Sequence, residues 1–525
     1  MRSLESVLLV IVTAAVGAFL IVSGRAHKPA APSSTFKPAI PKTWDEAALA
    51  DWATPVAGLN VRPGHMSEKE YYSLRVENLR TYPVYYPGRE PQGYWEMLQR
   101  VGPKPLIEPD KLQSQSDWIE AGRIVFEDLD DLHLRTYDPK IIAAARSREA
   151  FEAIGTQPYS DGTLDGIRWV PTKQGVALSV GGCRNCHLLT MANGTRVPGA
   201  PTFALVSRTQ RFKYLTPFIF KIHAANHVLP TATPFVMSSD EPIGLWLYQG
   251  FGVPWLKHDI HEQLKTATID QVPAINRSNL LGGGLPRWNG SPFYPTKVPD
   301  LIGIKDRKYI DHTATHLHRD IGDLMRYAAL VNFAESIDFG PYHVISPDTR
   351  RVEARLPDEA LYALALYIYS LKPPPNPNPF DEKAKAGQKL FERENCVMCH
   401  TPPLYTSNKL TLAEGFTPPD NVPKTLDILP ISVGTDSSLA LKTRKGTGYY
   451  KVPSLKGVWY RGHYLHDGSV ASLEEMFDPG RVKDTHVPGG WSPPGTKTWA
   501  IKGHPFGLDL TPEERAQLIA FLKTL

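Results

Sequence analysis

Apolar residues recur at helical spacing in two stretches of the chain that lie 154 positions apart. In residues 356–371 the stripe is Leu361, Leu364, Ile368 and Leu371; in residues 510–525 it is Leu518, Phe521, Leu522 and Leu525. Both fit one face of an α-helix. The second stretch carries its own start signal, with Thr511 as N-cap, Pro512 at the first helical position and Glu514 closing a capping box. Two further helix-like segments match each other, Ala121-Gly122-Arg123-Ile124-Val125-Phe126 and Ala386-Gly387-Gln388-Lys389-Leu390-Phe391.

The same offset governs a third element. Residues 297–312 and 451–466, aligned without a gap, share seven of sixteen positions, beginning Lys297-Val298-Pro299 and Lys451-Val452-Pro453 and ending at His312 and His466. From this element to the last helix is 59 residues in both copies. The chain is therefore read as an internal duplication. Residues 372–380, with Pro373, Pro374, Pro375, Pro377 and Pro379, read as a stiff connector between the copies.

Each copy holds one chemical motif at the same place in its order. Cys183-Arg184-Asn185-Cys186-His187 and Cys396-Val397-Met398-Cys399-His400 consume all four cysteines. Cys-x-x-Cys-His is the attachment pattern of c-type haem, in which two thiols add to the porphyrin vinyls and the histidine ligates iron. Two redox Cys-x-x-Cys pairs are the rival reading, but such pairs need no following histidine. The order of opening helix, haem motif, Val-Pro-x-Leu element and closing helix is that of a c-type cytochrome domain. The expected fold is mainly α, with two tandem cytochrome c-like domains and long ordered loops. Residues 25–110 form a tether and N-terminal extension, 111–371 a first haem c domain with large insertions, and 380–525 a second. The insertions are long: 110 residues separate His187 from Lys297, against 51 between His400 and Lys451.

Residues 6–23 contain no charge and are largely apolar, flanked by Arg2, Arg25 and Lys28. That is close to the roughly twenty residues a membrane span needs and longer than a usual signal core. Residues 1–24 are read as an inner-membrane anchor, with a cleaved signal as the alternative. Either places the body on the periplasmic side, where c-type haem is ligated in bacteria. Composition adds little: 42% hydrophobic and 21% charged residues are globular values. Lys plus Arg exceed Asp plus Glu by 58 to 54, which gives no case for nucleic acid.

The motifs resemble the bacterial dihaem cytochrome c peroxidase superfamily, which includes the methylamine-dehydrogenase maturation enzymes and the rubber oxygenases. Val452-Pro453-Ser454-Leu455-Lys456-Gly457-Val458 and His466-Asp467-Gly468-Ser469-Val470 carry the resemblance, and the long insert tilts toward the rubber-oxygenase-like branch. It implies that one haem relays electrons and the other meets the oxidant. The peroxidases carry a Met ligand fourteen residues after the His of His-Asp-Gly; here that position is Gly480, with Met476 four residues early.

His187 and His400 are the proximal ligands. Among His463, His466, Met476, His486 and His504, the expected sixth ligand of the second haem is His504, with Met476 as the alternative. Position 504 maps onto Arg350, and a guanidinium does not ligate iron, so the first haem is the expected reactive site. Its insert holds His223, His227, Met237, His258 and His261, any of which could cap it. Trp246, Tyr248, Phe251 and Trp255 could line a distal pocket, carry an oxidising equivalent or pack a core, and Glu262 is a candidate acid–base, so that Trp255 and Glu262 are the candidate catalytic residues. His312, His316 and His318 have metal-like spacing without a completing carboxylate or cysteine. The resemblance leaves calcium open.

The reading is an exported dihaem oxidoreductase, peroxidase-like, with a small cytochrome, cupredoxin or quinol-chain donor and peroxide or dioxygen as oxidant. The alternatives are an oxygenase on an organic substrate and a non-enzymatic electron carrier.

Overall fold

The computed structural model describes residues 36–130, 135–154, 158–180, 182–202, 252–257, 262–267, 284–287, 291–332, 337–343, 354–444, 446–493 and 495–525. The apolar stretch 6–23, Arg350, the capping candidates His223, His227, Met237, His258 and His261, and Trp246, Tyr248 and Phe251 lie outside them. Among the described residues no helix is long and apolar enough to cross a membrane.

Four helices form two pairs. α1 (Gln115–Asp128) packs on α3 (Asp358–Ser370), and α4 (Glu382–Arg393) packs on α5 (Pro512–Lys523); α2 (Ile321–Asn332) lies against α3. α5 begins as the sequence indicates: Thr511 Oγ1 accepts from the Glu514 N–H, and the Glu514 carboxylate accepts from the Thr511 N–H.

The duplication reaches the helix contact itself. A Cβ built on Gly122 would lie 1.9 Å from the Ala363 carbonyl oxygen and 2.8 Å from Tyr367 Cβ. One built on Gly387 would lie 1.9 Å from the Gln517 oxygen and 2.9 Å from Phe521 Cβ. The residues met are 154 positions apart in both cases. Each pair crosses backbone to backbone at a glycine, because a side chain there would force the helices apart.

Among the described residues 33% are helix and 15% strand, a mixed architecture rather than a mainly helical one. Much of the strand lies in the insertion before the first motif. β2 (Thr163–Thr172) and β3 (Gly175–Val180) of that insertion pair antiparallel, and β1 (Tyr82–Tyr85), from the N-terminal extension, adds antiparallel to β2. Val84, Leu164, Trp169 and Leu178 bury themselves with Leu98 in a separate core. These are residues that suit a half-buried pleated surface, and that packing overrides the helical theme of the repeat. In the second copy β4 (Leu410–Leu412) joins β5 (Ile428–Ser432) to β6 (Tyr449–Lys451). The N-terminal extension is no loose tether once it reaches residue 44: Trp44, Trp52, Val56 and Tyr71 are buried in the core built on α1 and α3.

Candidate functional site

Both Cys-x-x-Cys-His motifs fold into the same one-turn device. A 3-10 helix at Cys183–Asn185 is closed by the His187 N–H on the Cys183 carbonyl at 3.0 Å, and one at Cys396–Met398 by the His400 N–H on the Cys396 carbonyl at 2.8 Å. Burial pushes the Cys183 thiol up to about 12 and, as the main cause, the Cys396 thiol up to about 11; it also raises Cys399. A reactive dithiol needs the opposite, a lowered pKa in an electropositive setting. None of the four cysteines is in a disulfide.

The second motif opens onto a cavity of about 250 Å³ whose walls include Cys399, His400, Val452, Met476, Phe477 and His504. His400 and His504 face each other across it, with ring centroids 6.3 Å apart and planes at 54°. That spacing leaves room for one metal ion that a nitrogen of each ring would hold. Burial lowers His400 to about 4; it also lowers His504 to about 3, with His400 and Arg481 adding to it. Both rings are therefore neutral near pH 7, the form that ligates iron. His400 Nδ1 lies 3.1 Å from the Pro453 carbonyl and 3.2 Å from that of Tyr405. Donation there fixes the tautomer and leaves Nε2 as the ligating atom. The residues present thus fit a haem iron between His400 and His504.

His504 reaches this place through a strained loop. Its own φ is +45° and that of Gly503 is +86°, and a Cβ on Gly503 would lie 2.3 Å from the Thr435 nitrogen. The loop is held at both ends. The His504 N–H donates to the Val433 carbonyl at 2.6 Å. Arg481, fully buried, donates to the carbonyls of Met476, Ile501, Gly503 and His504 at 2.5–2.9 Å. Sequence reading missed Arg481; its one signal was adjacency to Gly480, where the resemblance expects a Met ligand.

The first motif has a parallel environment on its proximal side. Burial lowers His187 to about 4, and the Pro299 carbonyl, 154 positions before Pro453, partly opposes this without reaching hydrogen-bond geometry to Nδ1.

Between the copies runs a seam with two-fold character. The Lys297 N–H donates to the His466 carbonyl at 2.7 Å, and the Lys451 N–H to the His312 carbonyl at 2.9 Å. Both partners in this exchange are related by the 154-residue offset. Arg307 and Arg461 converge on the buried Asp300 carboxylate at 3.6 and 3.7 Å. Burial pushes the Lys297 and Lys451 ammonium groups down to about 7. Asp300 breaks the symmetry, since its counterpart is Ser454.

Other candidates fall elsewhere. Glu262 is 71% exposed and pairs with Lys265 at 3.1 Å, so it is a surface charge and not part of this cavity. Trp255 packs over Gly58 and edge-on to Tyr342 at 5.9 Å, in the core beside the N-terminal extension. Met476 is buried among Leu473 and Phe477 and lines the same cavity as His504. His466 stacks on Tyr450 at 4.4 Å, and His486 bonds Glu475 at 2.9 Å. His312, His316 and His318 do not converge: they bond the Lys297 carbonyl, His65 and the Tyr369 hydroxyl respectively. Among the described residues no cluster of three acidic, His or Cys side chains could hold a further ion.

No protein-family profile matches the chain. A stretch of 84 residues is 38% identical to the cytochrome-c peroxidase IdrP1 of Denitromonas iodatirespirans, covering 16% of this chain. The chain spans 19% of that relative's length. Among solved structures, hydrazine synthase of Kuenenia stuttgartiensis aligns at 16% identity and TM-score 0.29, covering 56% of this chain and 89% of that one. A MauG-like protein associated with microbial copper homeostasis aligns at 22% identity and TM-score 0.21, covering 32% and 52%. With the two Cys-x-x-Cys-His turns, the local sequence match supports a haem-dependent redox role.

Proposed function

We propose that the chain is an exported dihaem c-type oxidoreductase of peroxidase-like type, with Cys183, Cys186 and His187 holding one haem and Cys396, Cys399 and His400 the other. The observation that carries this reading is the opposition of His400 and His504 at 6.3 Å. When bound, the haems would supply one-electron redox chemistry and, where a sixth position is open, a place for peroxide.

His504 closes the second site to exogenous ligands. A site with two neutral imidazoles changes oxidation state with little rearrangement, which suits electron relay. Arg481 holds the loop that presents His504. At the first site the position equivalent to His504 is Arg350, which supplies no ligating atom. The two sites are therefore chemically unequal, the second fitted to relay and the first to meet peroxide. Arg307 and Arg461 place two cations in the seam, and Lys297 and Lys451, whose ammonium groups burial brings down to about 7, add partial positive charge against the carboxylates of Asp300 and Asp311. That excess of buried positive charge suits the porphyrin carboxylates, since buried charge requires a partner. The apolar segment 6–23 supports an anchored or exported periplasmic protein, fed by a small cytochrome, cupredoxin or quinol-linked donor.

The test is peroxide consumption by the purified, fully haem-loaded protein with a reduced small cytochrome as donor. Peroxide binding that survives His504→Gly while donor-driven turnover falls supports the assignment. A protein whose two irons are both low-spin, and that binds neither peroxide nor carbon monoxide when reduced, is an electron carrier instead.

A further inference from the structure

A line of hydrogen bonds runs from the N-terminal extension into the seam, and the proposed redox reaction does not use it. His65, half-buried on the strand Gly64–His65, places Nε2 3.1 Å from His316 Nε2. His316 is 1% exposed, wedged between Trp52 at 4.1 Å and Tyr327 at 6.0 Å. Its Nδ1 lies 3.2 Å from Thr315 Oγ1. Thr315 Oγ1 in turn donates to Asp311 Oδ2, and the same carboxylate accepts from the Thr313 and Thr315 N–H groups.

The donor direction along this line follows from chemistry. An ionised carboxylate only accepts, so Thr315 gives its hydroxyl proton to Asp311. Thr315 Oγ1 then receives the proton of His316 Nδ1. A neutral imidazole protonated on Nδ1 has Nε2 as an acceptor, so His65 Nε2 is the donor. These proton positions are assigned by counting donors and acceptors. Every hydrogen bond therefore points inward, from His65 to Asp311. At the inner end, Asp311 acts electrostatically on Lys451, which also feels Arg307, Arg461 and Asp300 and whose Nζ donates to the Tyr309 and Ile310 carbonyls. Lys451 and His312 both line the cavity beneath His400.

We propose that His65, His316, Thr315 and Asp311 form a proton-conducting path from the surface to the seam between the two haem motifs. The inference rests on reading the cavity as a redox site. When one electron enters the site from an external donor, the seam gains negative charge and one proton follows it. His65 passes its Nε2 proton to His316 and regains one from water. His316 passes its Nδ1 proton to Thr315, which passes its hydroxyl proton to Asp311. Asp311 delivers it toward the Lys451 amine, whose burial brings its pKa near neutrality. The proton taken from water at His65 ends on Lys451; the groups from His65 to Asp311 keep their charge, and His316 changes tautomer and turns back before a second proton passes. Peroxide reduction to water consumes two protons with its two electrons, so such a path has a use.

Thr315→Val and Thr315→Ser form the decisive pair. Valine keeps the shape and removes the relay atom; serine keeps the hydroxyl. The full-length, haem-loaded protein is photoreduced with a ruthenium sensitiser at pH 7 in weak buffer. Proton uptake is followed with an indicator dye beside the haem absorbance. The path requires uptake in the wild type, at least tenfold slower uptake in Thr315→Val, and uptake within twofold of wild type in Thr315→Ser. His65→Phe, at a half-buried position, should match Thr315→Val and covers the case in which that variant fails to take up haem. Wild-type uptake that is absent, or equal rates in the valine and serine variants, overturns the proposal. No peroxide is present, so a failure of peroxide turnover would leave this result standing by itself.

Discussion

Replacing Arg481 with methionine should release His504 from the second site. In the structure this guanidinium serves four carbonyls, two of them on the loop that carries His504. Each hydrogen bond from a charged group is worth about 1.5–3 kcal/mol, and each carbonyl left buried without a donor costs about 1–3 kcal/mol. Against this, Arg481 is fully buried, and burial is the main cause pulling its pKa down. Removing it recovers a desolvation penalty of several kcal/mol, which leaves a net loss of roughly 3–5 kcal/mol. If half of about 4 kcal/mol acts on the loop, the ratio of docked to undocked His504 falls roughly thirtyfold. The assay is the spin state of the second iron in the ferric protein, with its midpoint potential measured beside it. Arg481→Met should produce a high-spin population and carbon monoxide binding at the second site, and Arg481→Lys an intermediate state. Wild-type low-spin spectra and potential in Arg481→Met, with full haem content, would refute the anchoring role.

Gly122→Ala and Gly387→Ala should each destabilise, because the new Cβ would sit 1.9 Å from a carbonyl oxygen and overpacking costs about 1–3 kcal/mol, more than the roughly 1 kcal/mol alanine gains in helix propensity; thermal melts that rise instead would contradict the close crossing. Thr511→Ala should cost about 1 kcal/mol by removing the α5 cap, read by denaturant titration. The half-buried Lys451 has its pKa lowered from 10.5 to about 7, mainly by desolvation, so between those values the unfolded chain binds more protons and stability rises with pH. Lys451→Met should reduce that rise between pH 7 and 10, leaving the share of Lys297, which burial also brings down to about 7. Glu262→Gln should leave haem content and peroxide turnover unchanged, since the side chain is exposed and paired with Lys265.

The duplication was legible in the sequence because it rests on residues with one narrow use. Gly122 and Gly387 permit a backbone contact, Pro299 and Pro453 precede matched turns, and Cys-x-x-Cys-His has few rival uses. The helix start at Thr511 was readable for the same reason. The strands β1 to β3 were not, since they belong to the N-terminal extension and an insertion whose apolar residues pack against each other and follow neither copy of the repeat. The seam was half visible: the identities at Lys297, Lys451, His312 and His466 were seen, but not that each lysine bonds the other copy's histidine. Arg481 and the line from His65 to Asp311 depend on contacts between distant segments, which spacing does not encode. Glu262 shows the converse, a residue type suited to chemistry whose exposure gives it none.

Low-temperature electron paramagnetic resonance of the ferric, haem-loaded protein beside His504→Gly tests the central claim most directly. The account predicts two distinct iron signals in the wild type, one of them a low-spin signal from paired imidazoles that converts to high spin in His504→Gly while the other stays unchanged. Identical spectra from the two proteins, or a single iron signal in the wild type, would contradict it.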